Sequence, residues 1–148
     1  VQHVKRKGSL VRYPKTKVKL RAKLKELTKR SNGWGYGKRK EKLTNAIRGW
    51  VNYFRLAEMR TFVKETDEWL RSRIRMCIWK CWKRVRTRFK NLQRCGIAKW
   101  QAWQWANTRK GYWRTVHSPI LTRAISNENL KRAHYPTLME YYEKLHPR

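Results

Sequence analysis

The chain has 148 residues, of which 39 are Lys or Arg and only 9 are Asp or Glu, for a formal net charge of +30. Nine Trp, seven Tyr and three Phe within a 40% hydrophobic composition exclude a simple disordered basic tail, and the length suits one domain or one with an appendage. There is no 18-residue apolar run and no secretory apolar segment, so no membrane partner is expected, and a charge this one-sided points to a polyanion such as nucleic acid.

Residues 1–13 carry β-type side chains around Lys7-Gly8-Ser9, which predicts a short hairpin ended by Tyr13-Pro14. Over residues 15–30, Leu20, Leu24 and Leu27 recur at four and three, one face of an amphipathic helix. Gly33-Trp34-Gly35-Tyr36-Gly37 lacks the Lys-Ser/Thr of a phosphate-binding loop and reads as a flexible connection. Leu43, Ile47, Trp50, Phe54 and Ala57 step by 4, 3, 4 and 3, which predicts a second helix over residues 38–58. Gly49 inside it costs about 1 kcal/mol against Ala, and is expected to mark close approach of a neighbouring helix. A third helix is predicted over residues 61–90, about 45 Å long, burying Leu70, Ile74, Cys77, Cys81 and Val85. The short break before it makes helices two and three antiparallel neighbours.

Residues 91–96 read as a cap and turn, and Trp100, Trp103 and Trp105 follow in a short segment. Ser118-Pro119 is a helix start, with Ile120, Leu121, Ala124 and Ile125 as its apolar face. Tyr135-Pro136-Thr137 opens a last helix with Leu138, Tyr141, Tyr142 and Leu145. The expected fold is mainly α: a three-helix bundle, a short N-terminal β-hairpin remnant and a small C-terminal helical region.

Two-metal nucleotidyl transfer needs clustered carboxylates. The only cluster is Glu65, Asp67 and Glu68, which reads as dipole complementation at a helix start. Four scattered His and three Cys at no ligand spacing offer no metal site, and odd cysteines without a CxxC pair fit a reduced setting. The chain itself is therefore expected to be noncatalytic and without a cofactor.

Three basic clusters stand out. Lys38, Arg39, Lys40 and Lys42 open helix two, where positive charge opposes the dipole and an anion would offset it. In helix three, Arg71, Arg75 and Arg86 run beside Trp79 and Trp82; the tryptophans read as core, the arginines as phosphate contacts. Arg109, Lys110 and Arg114 surround Gly111, Tyr112 and Trp113. No recognition-helix or finger pattern supports base-specific groove reading.

Ile47-Arg48-Gly49-Trp50-Val51-Asn52-Tyr53-Phe54 resembles the RGW-x-x-Y-F core of the maturase-specific (X, or thumb) domain of group II intron reverse transcriptases. The likeness continues through Leu27-Thr28-Lys29-Arg30-Ser31, Asp67-Glu68-Trp69-Leu70-Arg71-Ser72-Arg73-Ile74-Arg75, Trp79-Lys80-Cys81-Trp82-Lys83 and Thr87-Arg88-Phe89-Lys90-Asn91-Leu92. Ala106-Asn107-Thr108-Arg109-Lys110-Gly111-Tyr112-Trp113-Arg114 and Ser118-Pro119-Ile120-Leu121 extend it along nearly the whole chain. The YADD aspartates of the family's palm and the His/Asn/Cys set of its appended endonuclease are both missing. The chain also begins with Val and is expected to be excised from a longer protein.

The resemblance implies the noncatalytic end of such an enzyme: residues 1–14 the end of the palm, 15–95 the thumb, and 96–148 a helical nucleic-acid-binding region. It implies binding of group II intron RNA for splicing and clamping of an RNA template–DNA primer duplex. Target DNA and the palm and fingers of the parent polymerase are further implied partners, in a bacterial cytoplasm. Mg2+ and dNTPs would serve the parent polymerase. The nucleic-acid contacts are expected at Lys38, Arg39, Lys40, Lys42, Arg48, Arg71, Arg75, Arg86, Arg88, Lys90, Arg109, Lys110 and Arg114. The alternatives are the thumb of a reverse transcriptase without a splicing role, and a structural basic RNA-binding protein.

Overall fold

Leu20, Leu24 and Leu27 are all buried, on the face their spacing predicts, in a first helix α1 (Gln2–Leu27). The computed structural model describes residues 2–54 and 58–146, with side chains from residue 15 onward. A 3-10 turn (Arg30–Asn32) follows, then α2 (Tyr36–Tyr53), α3 (Arg60–Cys81), α4 (Val85–Arg94), α5 (Lys99–Ala106), α6 (Tyr112–Val116), α7 (Pro119–Ala124), α8 (Asn127–Arg132) and α9 (Leu138–Leu145). The hairpin expected over residues 1–13 is not found, because the backbone is helical from Gln2. Once residues 15–27 nucleate a helix, adding each further residue costs little, and that outweighs the weak β preference upstream.

α3 is the centre of the molecule and packs against α1, α6, α9 and the 3-10 turn. Its C-terminal half is buried on every side, from Ile74 through Trp79, as expected of a helix enclosed by others. Leu43, Ile47 and Val51 form the buried stripe of α2, with Trp50 and Phe54 half-buried beside it; Ala57 lies outside the described residues. α2 packs chiefly on α1 and α9 and reaches the start of α3 through Trp50, whose ring lies 5.6 Å from that of Phe62. Gly49 is exposed, and a Cβ there would meet nothing within 4 Å, so no neighbouring helix explains it. Gly33 does need to be glycine, because φ is +69° where the chain turns from the 3-10 turn toward α2.

The long third helix is broken. α3 ends at Cys81 and α4 begins at Val85, which leaves Cys81 and Val85 exposed rather than in the core. Lys80, Lys83, Arg84 and Arg86 would stack like charges at helical spacings of three and four in a continuous helix. Arg88 folds back instead, donating Nε–H to Trp82 O at 2.7 Å and lying 4.3 Å over the Trp79 ring. Cys77 is core: burial pushes its thiol up, and Sγ–H donates to Thr28 O at 3.1 Å.

The C-terminal helices start where their caps predict. Ser118 Oγ accepts Leu121 N–H at 3.3 Å, and Thr137 Oγ1 accepts Glu140 N–H at 3.2 Å. A third cap, Ser126 Oγ accepting Asn129 N–H at 3.1 Å, opens α8. No acid lies in the first turn of α3, so the Glu65, Asp67 and Glu68 cluster does not complement its helix start as expected. Asp67 lies beyond the first turn of α3, is buried, and accepts Leu138 N–H at 2.7 Å and Met139 N–H at 2.9 Å. It thus satisfies the N-terminus of α9, not of its own helix. Tyr142 Oη accepts Met59 N–H at 3.0 Å and locks the other side of α9. One hydrophobic cluster consequently runs from Leu20 to Tyr142, across the boundary expected at residues 95–96.

Two measurements check this packing. Trp79 is 1% exposed, so Trp79→Ala is expected to cost about 3–5 kcal/mol, and Trp50→Ala less, in paired denaturant melts. Burial pushes the Asp67 carboxyl from 3.8 up to about 6, against the two N–H bonds and the Arg71 charge that pull it down. The folded chain then holds that proton more tightly than the unfolded chain. The group's contribution to stability is fully present below pH 3.8 and is lost as pH rises through about 6. The melting temperature of wild type relative to Asp67→Asn should fall between pH 4 and 7; a constant difference rejects this.

Candidate nucleic-acid interface

Nine carboxylates cannot neutralise 39 cations, so the basic side chains must find other acceptors or solvent. Several bond carbonyls at helix C-terminal ends, where the dipole is negative. Arg39 Nη1–H donates to Leu27 O at 2.7 Å, and Arg73 donates to Lys25 O, Thr28 O and Thr28 Oγ1, all at the end of α1. Lys80 Nζ donates to Arg30 O in the 3-10 turn. Arg75 donates to Ile125 O, just after α7, at 2.5 Å and to Asn127 Oδ1 at 2.7 Å.

These bonds sort the predicted contacts. Arg39 and Arg75 are buried and hold helices together, so neither is placed to meet a phosphate, contrary to expectation. Lys40, Arg71 and Arg88 are half-buried, and Arg88 is engaged with Trp79 and Trp82. Lys38, Lys42, Arg48, Arg86, Lys90, Arg109, Lys110 and Arg114 are exposed. The face expected to unite Arg71, Arg75 and Arg86 does not form, because Arg86 lies on α4 beyond the break and Arg75 points inward. Trp79 is core as expected, and Trp82 is half-buried against it, ring centroids 6.0 Å apart.

Among the described residues, surfaces that combine cations with accessible tryptophans include two on the C-terminal helices. On the α4–α5 hairpin, Trp100 and Trp103 are exposed, and Trp103 meets Phe89 edge to face at 5.4 Å, with Arg86 and Lys90 on the same hairpin. The other is a cleft of about 1030 Å3 between the 3-10 turn, α3 and α6. Arg30, Arg73, Lys80 and Arg114 line it together with Tyr112 and Trp113, and no acid does. The Arg30 guanidinium lies 4.3 Å over Tyr112. His117 donates Nδ1–H to Trp113 O at 2.7 Å, which fixes the ring beside the indole. Burial pulls the Arg73 guanidinium below its ordinary value, with a smaller push in the same direction from Arg30.

Arg114, Tyr112 and Trp113 stand out in the sequence as one cluster, whereas Arg30, Arg73 and Lys80 do not. The only local signal for them was the spacing of Arg73, Met76 and Lys80 at three and four, one helix face. Among the described residues no three His, Cys, Asp or Glu side chains gather to hold a metal. No described helix is long and apolar enough to cross a membrane.

A family model described as "Group II intron, maturase-specific domain" matches residues 17–96, more than half of the chain. The chain belongs to this family. No curated protein matches it. The maturase-specific segment spans α1 from residue 17 through α4, and the cleft joins that segment to α6 beyond it.

Single substitutions in this maturase-specific domain separate holding from binding. Arg75→Gln leaves the Ile125 carbonyl without its buried donor and should cost about 1–3 kcal/mol. Arg86→Gln, at an exposed site, should change stability by less than about 0.5 kcal/mol. Thermal melts of the two variants check the ordering, and equal losses would reject it.

Proposed function

We propose that the chain is the noncatalytic, RNA-binding thumb of a group II intron reverse transcriptase, holding intron RNA for splicing and clamping the template–primer duplex. The observation that carries this reading is that eight predicted basic contacts stay exposed on a rigid helical frame of the maturase-specific family. A rigid frame studded with Lys and Arg suits an A-form backbone recognised by shape. The α4–α5 hairpin, with its exposed rings, suits single-stranded RNA or target DNA. Catalysis, with its Mg2+ and dNTPs, belongs in this reading to the palm and fingers of the parent enzyme, in a bacterial cytoplasm.

The test is a titration of RNA binding against salt. If about eight phosphates are neutralised, log affinity should fall against log salt with a slope of about −6 to −7, and Arg86→Gln should reduce it by about 1. A slope shallower than about −2 rejects the reading. Restoration of splicing of the cognate intron by the parent protein, and its loss on deleting this chain, tests the splicing role.

A further inference from the structure

The cleft between the 3-10 turn, α3 and α6 is built differently from the open basic surface. Three of its four cations are held in place: Arg73 on the α1 carbonyls, Lys80 on Arg30 O, and Arg30 over Tyr112. Arg114 is exposed on the opposite, α6 wall. Tyr112 is engaged by the Arg30 guanidinium at 4.3 Å, and Trp113 carries Arg73 more distantly, 6.0 Å from its ring centroid; the indole stays 40% exposed at the cleft, braced edge to face by His117 at 4.6 Å. A large aromatic ring left open forgoes the stabilisation that burial would bring. A phosphate-only site has no use for it.

A paired duplex cannot use it either, because stacked bases present no face and the deep A-form groove excludes side chains. A base that has left the stack can lie on an indole, and its flanking phosphates can meet cations on either side. The volume of about 1030 Å3 is ample for one nucleotide and its neighbouring phosphates.

We infer that this cleft receives one unpaired nucleotide of a bound RNA, its base against Trp113 and its phosphates between Arg30 and Arg114. The inference rests on the RNA-binding reading above and adds a place where RNA irregularity, not only duplex shape, is recognised.

The experiment compares binding of the 148-residue chain to three blunt-ended, two-stranded RNA duplexes in one buffer: fully paired, with a single bulged adenosine, and with an abasic residue at the bulge. The bulged adenosine is expected to bind about 5- to 100-fold tighter than the other two. Trp113→Ala should erase that preference, and Trp113→Phe should keep part of it. Equal affinity for adenosine and abasic bulges in the wild-type chain overturns the inference, since a bend alone then explains any gain. A preference that survives Trp113→Ala overturns it as well. Failure to bind any of the three duplexes at low salt instead rejects the RNA-binding reading, and the cleft with it.

Discussion

A chain with so few carboxylates cannot knit its helices together with ion pairs, and its packing depends on what replaces them. The replacement is the negative end of the helix. Arg39 and Arg73 close the end of α1, Arg75 reaches the carbonyl that follows α7, and Arg88 holds the carbonyl at the end of α3. A charge-assisted bond of this kind is worth about 1.5–3 kcal/mol, and the dipole adds a further fraction. It also uses no acid, so the net charge that a polyanion would feel is left intact. Cohesion is thereby carried by some arginines while others, such as Arg48, Arg86, Arg109 and Arg114, stay exposed.

That division explains which parts of the sequence could be read. Leu20, Leu24 and Leu27, or Leu70, Ile74 and Cys77, declare their burial by spacing alone, because one helix face suffices to define them. Ser118 and Thr137 declare helix starts because a cap bonds its own next turn. The two roles of arginine are not local. Arg75 looks like any solvated residue until Ile125 O, fifty positions away, is brought against it. The same holds for the cleft, whose cations come from three separate segments. The break at residues 82–84 was hidden because the apolar spacing continues through Cys81 and Val85, with no Gly or Pro to interrupt it.

The aromatic residues show a parallel division. Trp79 is enclosed and carries Arg88 on its face, so it belongs to the packing. Trp100, Trp103 and Trp113 remain accessible, and Trp113 lines a cleft together with Arg30, Arg73, Lys80 and Arg114. Exposed indoles beside guanidinium groups are poor material for a hydrophobic core and good material for surfaces that meet bases and phosphates together.

The position of Asp67 bears on how this protein can be dissected. The only aspartate in the chain sits on α3, inside the segment that defines the family, yet both groups it accepts from belong to α9, more than forty residues past the end of that segment. A fragment trimmed to the homologous region would keep the carboxylate and lose its donors, and would uncover the faces of α2 and α3 on which α9 rests. The packing of this chain therefore continues well past the segment by which its family is recognised.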